Sequence, residues 1–99
     1  MSKSKYDSEY TRILTAYRSR ISADAVQILK RVRGSNRLEG NERSRIDEII
    51  RKWNDKRTVK RLIKELNYDL NNRYDEHNDS MLEQVIITLD EISEKLQVL

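Results

Sequence analysis

Lys56, Arg57, Lys60, Arg61 and Lys64 share one short run with five apolar residues, Val59, Leu62, Ile63, Leu66 and Leu70. At 100° per residue the apolar set forms one arc of a helix. Arg57, Lys60, Arg61 and Lys64 form a separate arc, with Lys56 near its margin. Side chains of this kind do electrostatic rather than covalent chemistry. Lys and Arg neutralise phosphates and release condensed counterions, and arginine can also pair bidentately with guanine. The plain alternative is an ordinary solvated face of a surface helix.

A second basic set, Lys30, Arg31, Arg33 and Arg37, is expected at the end of the first helix and in the connector after it. Cations there complement the negative end of the helix dipole, and they suit phosphate equally well. Arg12, Arg18 and Arg20 extend the positive charge along the first helix and would make a stripe with the later cluster if both helices expose the same side. Eighteen basic against eight acidic residues put residues 1–64 at a formal +10, while two against nine put residues 65–99 at −7, a split hidden in the overall +3. Glu83, Asp90, Glu91 and Glu94 in the acidic part have three readings: ion pairs to neighbouring helices, repulsion that keeps one side off DNA, or docking of a basic protein.

Other chemistry has little support in the residues. Cysteine is absent, which excludes disulfides and thiolate metal sites. His77 has Asp75, Glu76 and Asp79 beside it, but one imidazole in a polar turn lacks converging ligand geometry, so no metal is expected. No nucleophile–base set or glycine-rich phosphate loop occurs. We therefore expect no enzyme and no cofactor. Tyr6, Tyr10, Tyr17 and Trp53 could stack on unpaired bases, but their helical spacing predicts packing instead, while Tyr68 and Tyr74 stay unassigned.

The elements that must position the cations follow from periodicity. Proline is absent and only Gly34 and Gly40 interrupt, so the fold class expected is all-α, a three- or four-helix bundle across residues 1–99. The apolar residues Tyr6, Tyr10, Ile13, Leu14, Tyr17, Ile21, Ala25, Ile28 and Val32 predict a first helix over about 5–33, capped by Ser4. A break near Ser22 is the alternative. Gly34 suits a helix C-cap and opens a connector to Asn41.

The second helix is expected over about 44–53, with Ser44 and Asp47 as a capping box and Ile46, Ile49, Ile50 and Trp53 inward. The third is expected over about 56–73. The fourth, over about 80–97, starts with a Ser80–Glu83 box and carries Leu82, Val85, Leu89, Ile92 and Leu96 as a heptad-like seam, either the fourth wall of the core or a homodimer contact. The run from Val85 to Leu89 also has strand character. Leu, Ile and Val supply 25 residues, enough to fold, but the core is lean and a homodimer would help it.

The stretch from Ile46 to Leu66, IDEIIRKWNDKRTVKRLIKEL, resembles a helix-turn-helix unit: a short amphipathic helix, a polar break, then a helix opening with Thr58-Val59. In that family the second helix lies in the major groove. The resemblance implies Lys56, Arg57, Thr58, Lys60 and Arg61 at or near DNA. The turn departs from the family, with Asn54-Asp55 in place of a glycine and an apolar residue, and Trp53 where a smaller aliphatic is common. An ordinary hairpin or one rod over about 44–74 are the alternatives.

The function expected is a small nucleic-acid-binding protein, a DNA-binding regulatory or accessory factor of phage or plasmid type, with duplex DNA favoured over RNA. A helical inhibitor or immunity-like module acting on a protein partner is the second class, and shape-specific binding of double-stranded RNA the third. No segment reaches 18 consecutive apolar residues and no signal peptide opens the chain, so a cytoplasmic protein without membrane contact is expected.

Overall fold

The computed structural model describes residues 5–99, with side chains from Ser8 onward, so the Ser4 cap and the Tyr6 side chain lie outside the described residues. Four helices follow in order: α1 (Lys5–Arg33), α2 (Gly40–Arg51), α3 (Lys56–His77) and α4 (Ser80–Leu96). No strand occurs among the described residues, and the run from Val85 to Leu89 is helical. No described helix is long and apolar enough to cross a membrane.

Consecutive helices touch and α4 closes the ring on α1, whereas α1 and α3 make no contact among the described residues. The bundle therefore has α1 and α3 on a diagonal. Its centre is built from Ala25, Leu29, Ile46, Ile49, Val59, Ile63, Leu66, Leu70, Leu82, Leu89, Ile92 and Leu96, all fully buried. The seam of α4, including the nearly buried Val85, is thus spent inside the monomer and is not available to a second copy. Leu38, from the connector, is buried as well and plugs one end.

The capping chemistry departs from the sequence expectation at three places. First, α2 begins at Gly40, four residues early, because Glu42 Oε1 accepts the Glu39 backbone N–H at 2.8 Å in place of the Ser44 box. Second, neither glycine adopts a positive φ. The end of α1 is closed instead by Arg43, whose guanidinium donates to the carbonyls of Arg33 (3.2 Å) and Ser35 (2.8 Å). Third, α4 is capped by Asp79, which accepts from the Met81 and Leu82 N–H groups, rather than by Ser80. Asn78 ends α3 in the left-handed region at φ 48°, a conformation that asparagine tolerates better than most residues.

α1 is unbroken at Ser22. That hydroxyl accepts the indole N–H of Trp53, which ties the middle of α1 to the turn between α2 and α3. Trp53 falls just past the end of α2 and is buried, as its spacing predicts.

α2 and α3 are an antiparallel hairpin, which corrects the helix-turn-helix expectation. Arg73 Nη2 donates to Glu42 at 2.9 Å and Arg45 Nη1 to Asp69 at 2.6 Å, so the two helices stay side by side far from their turn. A perpendicular crossing would hold Glu42 and Arg73 roughly 30 Å apart at 1.5 Å per residue. Residues 52–55 form the turn, so the single rod is excluded as well.

α3 starts on Asp55, whose carboxylate accepts the Thr58 hydroxyl (2.6 Å) and the Thr58 backbone N–H (3.2 Å). These bonds hold the Asp55 carboxyl below the usual carboxylate range. A carboxylate with a depressed folded-state pKa stabilises the fold above its unfolded pKa and loses that contribution as pH falls through the folded value. Asp55→Ala is accordingly expected to lower the melting temperature at pH 7, with the gap to the parent closing on acidification below about pH 4. Thermal melts followed by circular dichroism at pH 7 and pH 3 check this, and an equal gap at both pH values would contradict it.

The molecule measures 60 × 23 × 19 Å with a radius of gyration of 16.5 Å, against about 13 Å for a compact chain of this length. The excess comes from α1. Its last half packs in the bundle, while residues 8–20 are exposed except for Leu14, which is partly buried.

Candidate nucleic-acid interface

α3 positions the cations by burying its opposite side: Val59, Ile63, Leu66 and Leu70 are inaccessible to solvent. The helix cannot roll about its axis without breaking that contact. Arg57, Lys60, Arg61 and Lys64 are all exposed. Among the described residues Arg57, Lys60 and Lys64 form no salt bridge, although Arg57 lies close enough to Asp55 to help hold its carboxyl low, and Arg61 makes a long pair to Glu65, at 3.4 Å on the same helix. Such i,i+4 pairs at an exposed surface cost little to open.

Two residues expected at the interface are instead used internally. The Lys56 ammonium lies 3.9 Å from the centroid of the Trp53 ring and donates to the Trp53 carbonyl at 2.6 Å. Burial there pushes the Lys56 pKa down. Thr58 is committed to the Asp55 cap.

The second basic set does not join the first. Arg33 pairs with Asp47, and Arg37 pairs with Asp79 at 2.8 Å. Lys30 and Arg31 are exposed and without an ionic partner, but they belong to α1, diagonal to α3. They also sit towards the opposite end of the bundle: Arg73, twelve residues or about 18 Å along α3 from Arg61, donates to the Arg37 carbonyl at 2.7 Å. One continuous stripe through Lys30, Arg31, Arg33, Arg37 and the α3 set is therefore not formed.

What the fold does add lies beside α3. Arg51 is exposed at the end of α2. Lys52 bonds the neighbouring Glu48 at 3.0 Å and holds its carboxyl below the usual range, with Arg51 and Arg61 contributing to the same positive field. Tyr68, 67% exposed, shares a groove with Lys60 and Lys64 between α3 and α4. Its position was legible in the sequence, because residue 68 falls about 180° from the Val59–Leu66 stripe. Arg51 carries no comparable signal, since a lone arginine at a helix end reads as dipole compensation.

The acidic part of the chain takes up two cations, Asp69 holding Arg45 and Asp79 holding Arg37, and it also borders this face: Asp90, which accepts from Asn67, lines the α3–α4 groove with Lys60 and Lys64. Tyr10 and Tyr17 are exposed rather than packed, at 67% and 54%. Tyr17 borders the end of α4, with Glu91, Glu94 and Lys95 across a groove, without being covered by it.

The result is an exposed, unneutralised row of three cations with a fourth loosely held, flanked by an aromatic ring, on an immobilised helix. No family model matches the sequence, and neither a curated protein nor a solved structure is significantly similar to it.

Proposed function

We propose that this protein binds nucleic acid, with duplex DNA as the favoured form, through the solvent face of α3. The observation that carries the reading is the combination of Arg57, Lys60 and Lys64, without a salt bridge among the described residues, with a helix back that is fully buried. Arg61 joins them once its Glu65 pair opens, and Tyr68 adds a hydroxyl and a flat ring at the same face. Phosphate neutralisation supplies the affinity, and Arg57 and Arg61 are the side chains able to reach base edges. The role that would follow from such binding is a regulatory or accessory one on DNA.

Fluorescence polarisation with duplex DNA, single-stranded DNA and duplex RNA at three salt concentrations tests the reading. Four phosphate contacts predict a slope of log affinity against log salt of roughly −3.6 on duplex DNA. Equal affinity for duplex RNA, with no sequence preference, would shift the assignment to shape recognition of RNA. A flat response to all three at low salt would refute nucleic-acid binding and favour a protein partner.

A further inference from the structure

The first half of α1 leaves the bundle with an apolar strip that the monomer borders only at one end, where Tyr17 shares a groove with Glu91, Glu94, Lys95 and Val98. Tyr10, Ile13 and Tyr17 are 67%, 65% and 54% exposed, and Leu14 lies between them, partly buried. The other large exposed apolar side chains, such as Tyr68, Met81 and Ile87, are scattered singly over α3 and α4, which is ordinary for a protein surface. A strip at helical spacing on a projecting rod is different, because helices of this kind draw most of their stability from packing an apolar face.

The order of residues along the strip identifies what fits it. About a point midway between Ile13 and Leu14 the sequence is self-complementary when reversed. In an antiparallel pair of α1 helices centred there, Tyr10 of one copy stands level with Tyr17 of the other, and Ile13 with Leu14. By residue type the correspondence continues from Tyr6 to Ile21. The charges follow the same rule: Glu9 lies on the same flank of the strip as Arg20 of the second copy and within one turn of it, twice by symmetry. A parallel pair would move that arginine eleven residues, about 16 Å, along the axis from Glu9. Two-fold interfaces require this kind of self-match, which a surface meant for an unrelated partner does not.

The strip has enough area to begin an interface. With aromatic side chains at about 200 Å² each, Tyr10, Tyr17 and Ile13 at their observed exposures offer roughly 350 Å² per copy. A standard interface takes about 800 Å² from each partner, and the stems of Arg18 and Arg20 flank the strip to extend it. From these observations we infer that the protein forms a two-fold homodimer through antiparallel α1 helices, with Tyr10, Ile13 and Tyr17 as its anchors. The contact leaves the α3 face open and does not depend on the nucleic-acid reading.

Sedimentation equilibrium over a range of protein concentrations, without nucleic acid, tests this. The expected result is a reversible shift from 11.9 kDa to twice that mass. Ile13→Glu with Tyr17→Glu should raise the dissociation constant by about a hundredfold, roughly tenfold per anchor, with helical circular dichroism unchanged because both side chains are exposed in the monomer. Glu9→Arg alone and Arg20→Glu alone should each weaken the dimer, and the two changes combined should restore it. A parent protein that stays monomeric at the highest attainable concentration overturns the proposal. So does a dimer that survives Ile13→Glu with Tyr17→Glu, or one that the combined charge swap fails to restore.

Discussion

Glutamate at positions 57, 60 and 64 together, replacing Arg57, Lys60 and Lys64, is expected to eliminate duplex binding while leaving the helical signal and melting temperature close to those of the parent. All three side chains are exposed and none forms a salt bridge among the described residues, so the fold loses little when they are replaced, the weak attraction of Arg57 for Asp55 at most. Binding loses three phosphate contacts and gains three repulsive ones. At about tenfold per charge-assisted contact, affinity should fall at least about a thousandfold. Lys30→Glu with Arg31→Glu is the matched control, since those cations are equally exposed but lie on the diagonal helix. Beyond a Debye length of about 8 Å their effect is screened, and a loss under about tenfold is expected at physiological salt. Equal losses in the two variants would mean that net charge, and not the α3 face, holds the ligand.

Arg73→Ala should be among the most destabilising single changes in the molecule. Glu42 is a carboxylate with only 5% of its side chain accessible, and it accepts from Arg73 Nη2 (2.9 Å), Arg73 Nε (3.3 Å) and the Glu39 N–H (2.8 Å). Arg73 also bonds the Arg37 carbonyl, so the same guanidinium joins the connector to the α2–α3 hairpin. Removing it leaves a nearly buried charge with one backbone donor, which costs about 3 kcal/mol when a buried pair is broken from one side. For a domain of this size that corresponds to a fall of roughly 15 °C in melting temperature. Glu42→Gln added to Arg73→Ala should recover a good part of the loss, because the amide oxygen still accepts from Glu39 and no charge is stranded. Urea titration of the single and double variants measures both numbers. A loss below about 0.5 kcal/mol in Arg73→Ala would show that water reaches the pair and screens it.

Much of the fold was readable because its signals are local. The apolar spacing of Ala25, Ile46, Ile49, Val59, Ile63, Leu66, Leu82, Val85 and Leu89 reports on which side of each helix turns inward, whatever that side meets. Helix ends were read less well. Ser44 and Ser80 have good capping chemistry, yet Glu39 and Asp79 begin α2 and α4, since several nearby residues can cap and only the path of the connector selects one. Gly34 was read as a left-handed cap, but Arg43, nine residues away, closes that helix end instead.

The candidate site was legible in part, and the failures share a cause. Arg57, Lys60 and Lys64 are where the helical period puts them. Lys56 and Arg37 carry the same charge in the sequence, but the Trp53 ring in the preceding turn claims the first and Asp79, far along the chain, the second. Tyr10 and Tyr17 have the period of core residues, yet both are more than half exposed, and Tyr17 meets only the end of α4 and Val98.

By itself, the order of amino acids determined that the chain is helical, where its apolar stripes run and that its front two-thirds is cationic, because backbone geometry and capping act over a few residues. Tertiary structure alone decided which cations stay free, that α1 and α3 sit on a diagonal so that their charges form no common stripe, and that α2 and α3 fold back as a hairpin. Those outcomes depend on pairs of groups far apart in the chain, such as Arg73 with Glu42 or Trp53 with Ser22, whose meeting no local pattern encodes.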